Sequence, residues 1–390
     1  MVATFGNYLW FFFLPLYYES RFGASPLQLS VVYGAWLLAV GVGIAPAGAL
    51  ADIIGRKPVI VASGLITSSA AFILAFSNNF VLAAFALPLT GFGSSFLQMS
   101  YMMVGESVES RRRGVAYGTY QTFANIMAAF SPLAGGLTIF RNASYFQVFV
   151  IGGSLTLVAT VLRAFFLRET LQAESRTSAK KPSYFKKLGQ IAHSKVLLAL
   201  LIVYSMYNLL VDQNSFVLPL YTSQVLGFDL VGLGVIFSAL LGVSALARIP
   251  FGKLSDRIGR KKTIMISWIG ESLVVYVIVF APRGELSVAL IGIVLWMLFG
   301  VMDAPAINAW LADATDSKSR GLSMGVFYSA TTLVAAPGAA LAGVLFYIQP
   351  QFPFYVNSAL GVIALAVLIS LTRSRDEGDS GGLQAKSNSP

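Results

Sequence analysis

The chain has no cysteine and a single histidine, His193. Disulfides, iron–sulfur clusters and thiolate metal sites are thereby excluded, and one histidine in a basic stretch cannot build a histidine metal centre. The plain reading of His193 is a solvated loop side chain that changes charge near pH ~6.5. A phosphate loop of the GxxxxGK[ST] type is also missing, so a membrane enzyme has no visible catalytic group and no cofactor is expected. Charge is scarce as well. Charged residues make up 11% of the chain, whereas soluble domains carry roughly 25%.

What is present instead is apolar: 56% of the residues are hydrophobic and the mean hydropathy is +0.73. The apolar runs are long and divided by short polar breaks, the pattern of a polytopic membrane protein. Twelve spans can be drawn, at 2–19, 31–52, 58–76, 80–105, 114–139, 145–168, 195–222, 230–252, 262–280, 286–312, 321–346 and 353–372. All but the first and third comfortably reach the ~20 residues that cross a hydrocarbon core. An unpaired backbone group in lipid costs several kcal/mol, so the spans are expected to be helices and the fold class all-α.

Charge supplies orientation. With alternate loops assigned to opposite sides, one side holds only Arg21, Arg141 and Arg283, while Arg163 and Arg248 lie inside spans. The remaining 22 of the 27 Lys and Arg residues fall on the other side. The positive-inside rule then puts both termini in the cytoplasm of a cell whose inner or plasma membrane holds the chain. This bias accounts for the net charge of +10, and nucleic acid need not be invoked as a partner.

The strongest pattern is an internal repeat, which decides the fold whenever it is present. GALADIIGRK at Gly48–Lys57 returns as GKLSDRIGRK at Gly252–Lys261, an offset of 204. LPLY at Leu14–Tyr17 returns at Leu218–Tyr221 with the same offset. Glu106, Arg113, Gly114 and Gly118 are matched by Asp313, Arg320, Gly321 and Gly325, at an offset of 207. Pro132, Gly135 and Gly136 are echoed by Pro337, Gly338 and Gly343.

The chain therefore reads as two six-helix bundles, 1–168 and 195–372, joined by a basic linker at 169–194 and ending in a tail at 373–390. The tail is rich in Gly, Ser and charge and reads as disordered. In the linker, Phe185, Leu188 and Ile191 share one helical face beside lysines. That pattern fits either an interfacial helix anchored on anionic lipid or a flexible connector. Span 7 begins near Lys195, whose repeat partner would precede Met1. Span 1 is thus expected to be short on its cytoplasmic side, as in a truncated chain or one begun at an internal Met.

Both GRK loops are physically unusual. Asp52 and Asp256 sit at helix C-termini, where the macrodipole already places about half a negative charge. Each acid needs a positive partner, and Arg56, Lys57 and Arg260 are close in sequence. Gly48 and Gly252 allow a neighbouring helix to approach closely, and Gly55 and Gly259 permit a tight turn. A charged latch on one membrane face suits a conformational gate; a static loop that only sets topology would not require two copies.

The paired loops, the twelve spans and the 6+6 duplication resemble the major facilitator superfamily of secondary transporters, over nearly the whole chain. The resemblance implies two bundles around a central cavity, rocking between inward- and outward-open states. It also implies that helices 1, 4, 7 and 10 line the cavity. Gly48, Asp52, Gly55, Arg56 and Lys57, with Gly252, Asp256, Gly259 and Arg260, would then be gate residues, and Glu106, Arg113, Asp313 and Arg320 their charge partners. Antiporters of the family often carry a Gly-rich signature in helix 5. Gly118, Pro132, Gly135 and Gly136 match it, while Met127 and Ser131 stand where glycine is usual. Close helix packing by small residues explains the same glycines.

Helical spacing selects the cavity residues. Tyr204, Asn208, Asp212 and Ser215 form one stripe on span 7, and Ser94, Gln98 and Tyr101 form one on span 4. Thr4 and Tyr8 on span 1 and Asn308 on span 10 are their repeat mates, and Gln121 and Asn125 on span 5 are near enough to join. Some of these amides could serve only to bridge helices. An aromatic, amide-rich set with few charges suits a neutral or amphipathic organic molecule better than phosphate, which wants Arg or Lys at mid-depth.

Ionisable groups inside spans are costly and by default functional. Removing a carboxylate from water disfavours its charged form, which is what a proton carrier needs. Asp212 is the first candidate for proton coupling or cation binding; Glu271 and Asp303 follow. Arg248 is placed to pair with either of the latter two, Arg163 to snorkel to the cytoplasm, and Glu19 to be solvated at the outer boundary. The expected function is a monomeric secondary transporter in the lipid bilayer, exporting an amphipathic or neutral small molecule against protons. Proton-coupled or facilitated uptake of a sugar-like or other polar solute is the alternative.

Overall fold

The computed structural model describes residues 1–390 except 97–99, 101–102, 105–106, 109–112, 143, 171–183, 212–213, 316–319 and 388–390. It gives backbone alone at 45, 49, 113–118, 184–187, 192, 195–196, 210–211, 214, 320–322 and 371–387. The described residues are almost entirely helical. The first half comprises α1 (Val2–Phe11), α2 (Leu14–Phe22), α3 (Pro26–Ile54), α4 (Arg56–Phe76), α5 (Phe80–Phe96), α6 (Arg113–Asn142) and α7 (Phe146–Phe166). The linker holds α8 (Tyr184–His193). The second half comprises α9 (Lys195–Val211), α10 (Asn214–Leu220), α11 (Leu230–Ile258), α12 (Arg260–Val279), α13 (Leu286–Gly300), α14 (Asp303–Asp313), α15 (Arg320–Ile348) and α16 (Phe352–Ser387). Among the described residues, nine helices are long and apolar enough to cross a membrane. Phe80–Phe96 and Leu197–Leu209 are shorter apolar helices.

The duplication extends to the helix ends. Ser25 starts α3 with a capping box, its hydroxyl accepting from the Gln28 N–H at 3.3 Å while Gln28 Oε1 accepts from the Ser25 N–H at 2.8 Å. Its repeat mate Asp229 caps α11, accepting from the Gly232 N–H at 2.8 Å. Both devices satisfy donors that the first helical turn leaves unpaired. The same two helices stop at Gly55 (φ 107°) and Gly259 (φ 95°), in backbone that L side chains rarely adopt. Tyr17 Oη donates to the Leu74 carbonyl at 2.9 Å, and Tyr221 Oη to the Val279 carbonyl at 2.9 Å. Ser63 Oγ donates to Gly93 O at 2.8 Å, and Ser267 Oγ to Phe299 O at 2.7 Å.

Two spans expected to be continuous are broken, and a third changes form at its end. Span 1 divides into α1 and α2, and span 10 into α13 and α14. A proline ring clashes with the carbonyl four residues earlier and supplies no N–H. Pro15 therefore ends α1 at Phe11, and Pro305 disrupts the backbone at Val301, where α13 gives way to a turn. Span 7 is helical over Lys195–Val211 and Asn214–Leu220, with 212–213 outside the described residues, and closes in a π-turn over Tyr221–Val225 after Pro219. Two further expectations change. The apolar side of α8 is covered by protein rather than lipid: Ile191 is buried, and with Leu188 it packs among Leu200, Ile264, Phe327 and Leu368. The tail expected to be disordered from 373 continues α16 to Ser387 as backbone helix, whose hydrogen bonds need no partner outside the helix.

The two halves meet along α3 with α15 and α6 with α11, and among the described residues these contacts lie away from the face that carries the GRK loops, hereafter the basic face. On the first seam Ser329 Oγ donates to Gly41 O at 2.7 Å, a Cβ on Gly34 would stand 3.2 Å from Ala336 O, and Gly343 packs on Ser30. On the second, the Leu133 N–H donates to Ser238 Oγ at 3.0 Å, Gly234 abuts Pro132 O, and Gly136 abuts Leu230 O. At the opposite face Gln224 Nε2 donates to Glu19 Oε1 at 2.8 Å, joining the halves there. Glu19, expected to be merely solvated, is thus part of the closed end. Toward the basic face the seams part: a Cβ on Gly48 or on Gly252 would meet nothing within 4 Å. The structure is closed at one end and splayed at the other.

Candidate functional site

The GRK loops stand at the splayed end. In the first copy Arg56 Nη1 reaches Asp52 Oδ1 at 2.8 Å, with the Arg56 side chain 10% exposed. The Glu169 carboxylate takes the N–H of Arg56 and of Lys57, both at 3.0 Å. A carboxylate there satisfies two orphan donors and meets the positive end of the α4 dipole. Glu169 opens the linker and had no motif to draw notice. In the second copy Arg260 Nη1 reaches Asp256 Oδ1 at 2.5 Å and Arg260 Nε lies 3.6 Å from Asp313 Oδ2. Glu106 lies outside the described residues, as do the side chains of Arg113 and Arg320. Each Asp thus finds its cation within its own loop. The close helix approach expected at Gly48 and Gly252 is not made, because the halves are splayed where those glycines face.

Two cavities lie between and within the bundles. The smaller, about 290 Å³, is set in the second half and carries Glu271 and Asp303 on its wall with Tyr204, Tyr207 and Asn208. Glu271 is 4% exposed and Asp303 3%. Tyr207 Oη donates to Glu271 Oε2, and Trp268 Nε1 to Asp303 Oδ2 at 3.1 Å. The Tyr207 and Trp268 rings stack at 4.4 Å and 15°, so one aromatic pair positions both acids. The ion pair expected between Arg248 and one of these acids is absent; neutral donors hold both. Tyr207 and Trp268 were missed in the sequence, although each lies one helical turn from a residue that was selected, Tyr204 and Glu271 respectively.

The larger cavity, about 520 Å³, is set mainly in the first half. Thr4, Tyr8, Ser94, Gln121 and Asn125 are on its wall, and Gln121 Nε2 donates to Asn125 Oδ1 at 2.9 Å. Arg163 and Arg248 are on the same wall, and no carboxylate is there among the described residues. Arg163 neither snorkels free nor does Arg248 turn to the acids: both flank this cavity. Phe12 and Ser215 belong to both cavities. Phe12 stacks on Phe237 at 4.2 Å and on Tyr8 at 5.7 Å, forming an aromatic partition between them.

Asn308 is on neither wall. It accepts from Tyr328 Oη at 2.8 Å and donates to Ala304 O at 2.9 Å, which makes it a helix bridge. Asn208 Nδ2 likewise donates to Tyr204 O at 2.9 Å, while keeping its place on the acidic cavity. Gln98, Tyr101 and Asp212 lie outside the described residues. Of the Gly-rich stretch in α6, Gly135 packs on the Leu9 carbonyl of α1 and Gly136 on Leu230 of α11, the close-packing role. No group of three or more His, Cys, Asp or Glu that could hold a metal occurs among the described residues.

Two duplicated helical bundles enclosing polar cavities, closed at one end and splayed at the other, define a membrane transporter of the alternating-access class. The model of the Major Facilitator Superfamily matches residues 1–249 and 231–388, and the chain belongs to that family. It is 27% identical over 305 residues to the multidrug resistance protein MdtG of Citrobacter koseri, covering 76% of this chain and 73% of that one. It is 24% identical over 394 residues to the multi-drug resistance efflux pump PmrA of Streptococcus pneumoniae, covering 96% and 95%. A crystal structure of the peptide transporter POT in complex with sulfate superposes with TM-score 0.74 at 16% identity, covering 96% of this chain and 92% of that one.

Proposed function

We propose that the protein is a proton-coupled exporter of amphipathic small organic molecules, acting as a monomer in the plasma membrane with its basic face and both termini in the cytoplasm. Under that orientation the structure is the inward-open state, the one that loads cargo from the cell. The observation that carries the reading is the buried pair Glu271 and Asp303 on one cavity wall, held, among the described residues, by neutral donors. A buried carboxylate with no cation to neutralise it favours its protonated form, so it can take up a proton in one state and release it in another. Asp212 is proposed as a third carrier. The relatives named as multidrug efflux proteins support export over uptake.

In the proposed cycle the Asp52–Arg56 and Asp256–Arg260 loops close against the opposite half when the basic face shuts. The Glu19–Gln224 contact then opens. Reconstitution tests the function directly: proteoliposomes loaded with the dyes fluorescein or rhodamine 6G are given an imposed pH gradient. Gradient-driven movement of at least one dye, abolished by nigericin, is expected. Dye flux that follows only the dye's own gradient, with sugars moved instead under the proton gradient, would contradict export. Asp212→Asn is expected to lose the gradient response while keeping exchange of dye for dye.

A further inference from the structure

Neither the Arg163 nor the Arg248 guanidinium makes an ion pair or a hydrogen bond with any described residue, yet both flank one cavity inside the membrane domain. Arg163 is half-buried and Arg248 is open to the splayed end, and a guanidinium inside a membrane domain is by default functional, lining a cavity that offers a place for a counter-charge. Among the described residues, the acids buried in the second half, Glu271 and Asp303, are engaged by Tyr207 and Trp268 on the other side of the Phe12 partition. The remaining wall is graded. Trp10, Phe11 and Trp36 gather at the closed end, Phe11 and Trp36 with ring centroids 5.5 Å apart, and the Gln121–Asn125 amide pair adds neutral polar groups. Arg163, in the last turn of α7, and Arg248, ten residues before the end of α11, stand toward the splayed basic face.

We infer that this cavity binds amphipathic organic anions, with the carboxylate or sulfonate between Arg163 and Arg248 and the aromatic body against Phe11 and Trp36. A guanidinium presents a planar fork of donors that matches a carboxylate, and it sheds water more readily than an ammonium. The inference rests on the export reading above and names the charge of its cargo. It also gives the two cavities distinct tasks: the counter-charge in the first half comes with the substrate, and the proton is held in the second.

Fluorescein and rhodamine 6G share a xanthene body and differ in the sign of their charge, so their binding to the full chain in dodecyl maltoside, read by fluorescence anisotropy, isolates the effect. Fluorescein is expected to bind at least tenfold more tightly than rhodamine 6G. Arg248→Gln and Arg163→Gln should each weaken fluorescein at least tenfold, and Arg248→Lys should fall between wild type and Arg248→Gln. If Arg163→Gln does not fold, Arg248→Gln carries the test, because its side chain is exposed at the splayed end. Equal or tighter binding of rhodamine 6G, or unchanged fluorescein binding in Arg248→Gln, would overturn the inference and leave export standing. A phospholipid phosphate offers the same charge. Displacement of fluorescein by added phosphatidylglycerol, with no fluorescein counterflow in proteoliposomes, would assign the site to lipid and overturn it too. Arginine-dependent fluorescein binding and counterflow with no response to a pH gradient would support the anion site and contradict proton-coupled export.

Discussion

The two halves of the molecule share their scaffolding and differ in their interior charge. Positions that repeat with the 204-residue offset do the same structural job twice. Gly55 and Gly259 turn the chain, Ser25 and Asp229 cap a helix, and Ser63 and Ser267 bind a carbonyl of the adjacent helix. The positions that carry charge into the bundles have no such mate. Glu271 corresponds to Thr67, Trp268 to Gly64 and Arg248 to Ile44. Gly64 and Thr67 are on the wall of the basic cavity, where Trp268 and Glu271 belong to the acidic one. Duplication supplied the frame, and the departures from it mark where the chemistry of transport is assigned.

The largest effect that should sharpen this contrast is on coupling. Glu271→Gln is expected to reduce gradient-driven flux at least tenfold, whereas Thr67→Val at the mated position should change it less than twofold; both are measured in proteoliposomes. Next comes transplantation of a second-half side chain into the first half. A Cβ on Gly64 already collides with the Thr160 side chain, so Gly64→Trp should cost more than the ~1–3 kcal/mol usual for overpacking and lower the melting temperature sharply. Accommodation of that tryptophan without loss would break the claim that the two cavities differ in shape as well as charge.

The latches should differ by less. Arg56 is 10% exposed and its loop is tied to Glu169, while Arg260 is 30% exposed and its partner Asp256 is 68% exposed. Arg56→Gln is therefore expected to destabilise by about 1–3 kcal/mol and Arg260→Gln by under ~1 kcal/mol, since exposed pairs are screened by solvent. Equal melting shifts for the two variants would show that burial does not separate the loops. Smallest and most symmetrical are Ser63→Ala and Ser267→Ala. Each removes a buried hydroxyl bond, at ~0.5–1.5 kcal/mol, and their shifts in melting temperature should match.

Much of the frame was legible because it follows from local rules. The helical spans and the glycine turns follow from residues close in sequence, and the repeat from setting one half of the chain beside the other. The break at Val301 was not foreseen in the span drawn over 286–312, although Pro305 removes the partner of the Val301 carbonyl. The site was legible only by halves. The cost of charge inside a span picked Glu271 and Asp303, and nearness to the polar stripes picked Gln121 and Asn125, but neither could say which neighbour covers each face. Arg248 was assigned to the acids and instead faces the opposite cavity, because the turn of α11 past the Phe12–Phe237 stack is a tertiary fact. Glu169, 113 residues from Arg56, became a partner only through the fold. Asn308 had the right spacing and the wrong neighbour, Tyr328, which claims its amide.

The most direct measurement compares two modes of flux in Glu271→Gln, dye-for-dye counterflow and pH-driven accumulation in the same proteoliposomes. If the second half holds the proton and the first half the cargo, counterflow stays near wild type while accumulation falls at least tenfold. Full gradient-driven accumulation in the variant, or loss of both modes together in a protein that still folds, would contradict that division.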